Sequence, residues 1–130
     1  MRLQNKIAIV TGAGGGFGEG VARRFADEGA KVAVVDIRAA EAERVAREIG
    51  AAAVALEADV GDADDVQRVV DQTKARFGAP NILVNNAGVT HKNRPLLEVD
   101  EAMFDHIFRV NVKSIFHFVR SIAPIMRDNG

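Results

Sequence analysis

The residues best suited to chemistry in this 130-residue sequence stand close to its start. Five glycines fall within seven residues, at Gly12, Gly14, Gly15, Gly16 and Gly18. They follow a short apolar run, Ile7-Ala8-Ile9-Val10, whose length and β-branched content suit a buried strand. They precede a segment with Val21, Ala22, Phe25 and Ala26 at helical spacing. Glycine permits backbone angles that a Cβ forbids and lets the main chain approach an anion closely. A helix starting behind such a turn presents unpaired N–H groups and the positive end of its dipole. Strand, glycine turn and helix in that order make a phosphate cradle. A flexible hinge without a ligand explains the glycines but not their placement between a strand and a helix.

Other reactive residue types are sparse. Asp62, Asp64 and Asp65 cluster, but they fall where a helix should begin and where its dipole favours acids. No histidine lies near them in sequence, so no metal site is expected. His91 sits in the polar loop Thr90–Pro95, where a solvated histidine is the simpler reading and a general acid the sharper one. His106 and His117 are expected to pack at the flanks of the last helix. There is no cysteine, which removes thiol chemistry and disulfides, and there is no tyrosine.

Four repeats of strand and helix position these residues. The first helix spans about 17–28. A second strand, Lys31 to Asp36, is followed by a helix over about 39–49 with Ala42, Val45, Ala46 and Ile49 on one face. A third strand, Ala52 to Ala58, is less apolar and suits an edge. It leads to Asp59-Val60-Gly61-Asp62 and a helix over about 62–77. Pro80-Asn81 breaks the chain, and Ile82-Leu83-Val84 forms a fourth strand running into Asn85-Asn86-Ala87-Gly88. Asp100 should cap a single last helix over about 101–128, apolar on nearly every face from Phe104 onward, which Pro124 should bend or end. Gly29, Gly50 and Gly78 each read as a helix-ending glycine. The expected fold is α/β: one Rossmann-like, doubly wound domain over residues 1–130, its parallel strands in order 3-2-1-4 and helices on both faces. Its cleft opens between strands 1 and 4, which brings the glycine turn opposite Asn85–Gly88.

Composition excludes several classes. A net charge of −1 and a pI near 6.3 argue against nucleic acid or an anionic membrane as partner. No apolar run approaches a membrane span, and the N-terminus enters the first strand without a signal peptide, so a cytoplasmic location is the default. An open strand edge and the apolar last helix point to a homo-oligomer.

The spacing around the glycines is specific. Neither G-x-G-x-x-G nor the Gly-Lys-Ser/Thr phosphate loop fits. Thr11-Gly12-x-x-x-Gly16-x-Gly18, with Phe17 where isoleucine is more usual, resembles the T-G-x-x-x-G-x-G pattern of the short-chain dehydrogenase/reductase family, and Asn85-Asn86-Ala87-Gly88 resembles its N-N-A-G signature. The resemblance runs from Arg2 to Gly130 but corresponds to only the N-terminal half or so of a usual member. It implies an NAD-binding portion of an enzyme that interconverts an alcohol and a ketone. By the same resemblance the cofactor would be lined by Gly12, Gly14, Gly16, Phe17 and Gly18. Asp36 would meet its adenosine ribose, Ile37 would line the cofactor beside it, and Asp59 and Val60 would touch its adenine. Asn86, Ala87, Gly88 and Val110 would complete the lining. Asn111 would be the catalytic-site asparagine that holds a proton-relay water. NAD is expected rather than NADP, since the family's NADP-linked basic residues are replaced here by Gly15 and Ile37; Arg38 stands nearby. The family's catalytic Tyr has no counterpart, and Ser114 and Ser121 lie in the last helix, so these residues alone are expected to be inactive. A nucleotide-sensing module and a structural half-fold are the non-enzymatic alternatives.

Overall fold

A computed structural model describes all 130 residues. The elements run in the order β1 (Ile7–Thr11), α1 (Gly16–Asp27), β2 (Lys31–Asp36), α2 (Ala39–Ile49), β3 (Ala53–Glu57), α3 (Ala63–Phe77) and β4 (Ile82–Val84). A 3-10 turn (Leu96–Glu98), α4 (Glu101–Phe108), a π-helical turn (Arg109–Lys113) and α5 (Ser114–Asp128) complete the chain. The four strands form one parallel sheet in the order β3-β2-β1-β4. Ile9 is in register with Ala33 on one side and with Leu83 on the other.

Alternate strand residues feed two apolar cores, as the period of a strand requires. Ile9, Ala33, Val35 and Leu56 pack with Val66, Val69 and Val70 of α3 and with Phe118 and Ile122 of α5. Val10, Val32 and Val34 pack with Ala22 of α1 and with Ala42, Val45 and Ala46 of α2. The sheet is thus covered on both faces, and the central strands read as continuous apolar runs for that reason. Gly29, Gly50 and Gly78 all adopt positive φ where helices end. Asp62 accepts hydrogen bonds from the N–H groups of Asp64 and Asp65, which makes it the cap of α3. Asp100 caps α4 through the Met103 N–H.

The last helix differs from the sequence expectation. It is not one helix over 101–128 but two, joined by the π turn, and Pro124 lies inside α5 without ending it. A π turn inserts one residue, which rotates the downstream helix by about 100° relative to the upstream one. The apolar spread over nearly every face in the sequence reflects this change of phase. One side is covered, with Val110, Phe118 and Ile122 all buried. The other is not: Phe104, Phe108, Val112, Ile115, Phe116 and Val119 remain between 43% and 56% exposed. The 3-10 turn in the loop after β4 has no periodic signature in the sequence.

Candidate functional site

The C-terminal ends of β1 and β4 are joined through two side chains. Thr11, 1% exposed, accepts the backbone N–H groups of Asn86 (3.1 Å) and Ala87 (3.0 Å) at Oγ1, and donates to the Val84 carbonyl at 3.3 Å. Asn86 returns the contact, its Nδ2 donating to the Thr11 and Gly12 carbonyls at 3.1 and 3.2 Å. The two motifs are therefore one structural unit, made where strand pairing stops. Gly12 is required there twice over: its φ is +62°, and a Cβ would stand 2.9 Å from Ala87 Cα. At Gly18 a Cβ would run into the Gly12 carbonyl, so α1 is seated directly against the turn. Gly16 also has positive φ, at +54°, with open space around it. No side chain caps α1, and Glu19 is the only acid in its first turn. Its leading N–H groups are left without an intrahelical partner.

Asp36 ends β2 beside this turn and is 6% exposed. Its Oδ2 accepts the Gly14 N–H at 3.0 Å, and its Oδ1 accepts the Arg38 N–H at 2.9 Å and Nε at 3.2 Å. Burial pushes its pKa up, but hydrogen bonds from the Arg38 backbone and guanidinium and from Gly14 prevail and hold the carboxyl below its ordinary range. Gly14 cannot be larger, because a Cβ would lie 2.8 Å from Asp36 Oδ2.

Asp59 comes after β3. Its Oδ1 accepts the Gly61 N–H and its Oδ2 accepts Arg109 Nη1, both at 2.9 Å. Here too burial raises the pKa, and the Arg109 guanidinium with the Gly61 N–H more than offsets it. A third set of charges braces the glycine turn from outside. Glu19 of α1 accepts from Arg44 of α2 at 2.9 Å and from Arg23 at 2.7 Å, while Arg44 also donates to the Gly14 carbonyl at 3.3 Å. Hydrogen bonds from Arg44 and Arg23 hold the Glu19 carboxyl down at about 2.

These groups surround a cleft of about 400 Å³. Gly12, Asp36, Ile37, Asp59, Val60, Asn86, Ala87, Gly88 and Val110 line it, as do Arg38, His106 and Arg109. Gly14, Gly16, Phe17 and Gly18 belong to the turn beside the cleft and are not part of its lining, and Phe17 is 90% exposed. Asn111 is likewise outside the lining. Its Oδ1 accepts the Val89 N–H at 2.7 Å and its Nδ2 donates to the Val89 carbonyl at 2.8 Å. The π turn thereby fixes the strand of chain that leaves β4. His106 does not pack at the flank of its helix, as the sequence suggests, but lines the cleft, 3.4 Å from Arg109 Nη2. Arg109 is a site residue that the sequence does not single out. It is separated from Asp59 by 50 positions, and no local pattern marks such a pair.

Comparison with known proteins gives a consistent result. Residues 6–130 match the family described as short chain dehydrogenase. The chain is 42% identical to 4-formylbenzenesulfonate dehydrogenase of Comamonas testosteroni over 133 aligned positions, covering 100% of this chain and 53% of that protein. It is 39% identical to galactitol 2-dehydrogenase of Agrobacterium fabrum, covering 97% of this chain and 49% of the other. Among solved structures, 3-ketoacyl-(acyl-carrier-protein) reductase from Brucella melitensis, complexed with NADH, superposes with a TM-score of 0.96 at 47% identity. That match covers 98% of this chain and 52% of the reductase. The chain spans about half the length of the relatives it matches.

Proposed function

The chain belongs to the short chain dehydrogenase family, and we propose that its 130 residues form an NAD-binding portion that holds chiefly the adenosine and pyrophosphate. The observation that carries this reading is the meeting, in one cleft, of an uncapped glycine turn with two hydrogen-bonded carboxylates. The pyrophosphate lies over Gly12, Gly14, Gly16, Phe17 and Gly18, where the leading N–H groups of α1 offer donors and a positive dipole end. The fit is physical: Gly16 is open where a side chain would stand, and Gly12 brings the main chain close to Asn86–Gly88.

The adenosine ribose lies at Asp36. Its carboxylate stays ionised and, beyond the three bonds it accepts from Gly14 and Arg38, keeps a lone pair on Oδ2 for one sugar hydroxyl; a second is accepted at Oδ1 when the exposed Arg38 side chain turns away. The same charge opposes a 2′-phosphate, which favours NAD over NADP. The adenine lies at Asp59 and Val60, with Ile37 and Val110 as apolar neighbours. NAD, when bound, supplies the hydride acceptor for alcohol oxidation in the complete protein, with a small alcohol or ketone as substrate. Asn111 contributes by holding Val89, and thus the loop after β4, against the π turn. Without a tyrosine, these residues provide no counterpart to the family's acid/base group, whose contribution is typically about 10²–10⁴-fold. By themselves they bind and do not turn over.

Backbone amide shifts on adding NAD to the 130-residue chain test this reading. Changes are expected at Gly12–Gly18, Asp36–Arg38, Ala58–Val60 and Asn86–Gly88. Saturating shifts confined to the exposed face of α4 and α5, or none at millimolar NAD, would contradict it.

A further inference from the structure

Arg109 lines the cleft in a setting built around it. Its Nη1 donates to Asp59 Oδ2 at 2.9 Å, and its Nη2 faces His106 Nδ1 at 3.4 Å. Gly61, whose N–H holds the other Asp59 oxygen, has no side chain where one would collide with the guanidinium. A Cβ there would meet Arg109 Nη1 and lie 2.9 Å from its Cγ and Cζ. The arrangement spans three parts of the chain: the loop after β3, the end of α4 and the start of the π turn.

The charges in this corner cancel. A guanidinium already paired with a carboxylate at 2.9 Å is a poor receptor for a phosphate but keeps donors in hand. Of five N–H groups, one engages Asp59 and one faces His106, which leaves three. Asp59 keeps acceptor capacity beside them. A planar cation, unused donors and a fixed acceptor suit a neutral heteroaromatic ring that carries an amino group next to a ring nitrogen.

We propose that Arg109 is a specificity-determining residue for the nucleobase: it holds the Asp59 carboxylate in one orientation and presents its own plane and donors to an amino-substituted purine. This rests on the placement of adenosine proposed above. Adenine places a 6-amino donor beside ring-nitrogen acceptors, matching both groups. Hypoxanthine places a carbonyl oxygen there instead, and a fixed carboxylate repels it. Once Arg109 is removed, Asp59 is held at one oxygen alone, by the Gly61 N–H, and the distinction between the bases weakens.

The test compares ADP-ribose with its hypoxanthine counterpart, inosine diphosphate ribose, by titration calorimetry on wild type, Arg109→Ala and Arg109→Lys. Wild type should prefer the adenine compound roughly tenfold, the scale of one charge-assisted hydrogen bond. In Arg109→Ala that ratio should fall towards one, chiefly through weaker ADP-ribose binding. Arg109→Lys retains the charge but not the planar fork and should recover part of the ratio. The ratio does not depend on the fraction folded, so a partly destabilised variant still reports. An unchanged ratio in both variants overturns the assignment of Arg109 alone. Failure of wild type to bind either compound overturns it together with the adenosine reading.

Discussion

Thr11 Oγ1, on a side chain closed to water, receives the backbone N–H groups of Asn86 and Ala87; the Asn86 N–H also reaches the Val84 carbonyl at 3.0 Å, while the Ala87 N–H relies on Thr11. Replacing the hydroxyl by the methyl of valine leaves the half-buried Ala87 N–H without its acceptor, at about 1–3 kcal/mol. Thr11→Val is therefore expected to destabilise the fold by about 1–3 kcal/mol, while Thr11→Ser should stay close to wild type. Urea denaturation measures both, and equal midpoints for Thr11→Val and wild type would refute this account of the motif. The residues on local motifs are legible in the sequence: Gly12, Asp36, Asp59 and Asn86 each sit at a strand end that the sequence pattern marks. Residues that complete those motifs from afar are not. Arg109 reaches Asp59, and Arg44 reaches Gly14 and Glu19, across chain separations that carry no periodic signal.

At the scale of elements, α4 and α5 show what periodicity conveys and what it omits. Apolar spacing identifies a helical region, and its unusually broad apolar surface is visible in the sequence. The π turn that divides it is not, because a single inserted residue changes the phase without interrupting the run. Its physical basis lies in tertiary contacts: Val110 is buried while Asn111 forms a two-point contact with Val89. Asn111→Ala removes both bonds. Amide exchange at Val89 should then accelerate by at least tenfold, the scale of losing about 1.4 kcal/mol of local protection, while amides of β1 and β2 should hardly change. Uniform acceleration across the sheet would mean that Asn111 supports global stability and not this contact in particular. The strands and first three helices are legible to within a residue or two. Each has its stop signal written locally, as with the positive-φ glycines at 29, 50 and 78.

At the scale of the whole molecule, two surfaces are left unsatisfied. β4 pairs with β1 on one side alone, so its other edge presents free N–H and C=O groups. α4 and α5 expose Phe104, stacked on Phe108 at 4.6 Å, together with Ile115, Phe116 and Val119. Burial of apolar surface yields ~25 cal/mol per Å² before the cost of association is subtracted, so a few hundred Å² gives several kcal/mol towards self-association. The 130-residue chain is accordingly expected to show concentration-dependent oligomers by light scattering, and a monodisperse monomer at high micromolar concentration would show these surfaces to be inert. No helix of the chain is long and apolar enough to cross a membrane.

Calorimetric titration of the 130-residue chain with NAD, ADP-ribose and NADP tests the central claim, that the cleft holds an adenosine dinucleotide through Asp36 and the glycine turn. ADP-ribose is expected to bind almost as well as NAD. NADP should bind more weakly, by about 1–4 kcal/mol for a 2′-phosphate placed near a carboxylate at effective dielectrics between water and a protein surface. Asp36→Ala should narrow that difference from both sides, losing ribose hydrogen bonds to NAD and relieving repulsion on NADP. NADP binding as tightly as NAD to the wild-type chain, or no binding of ADP-ribose, would contradict the claim.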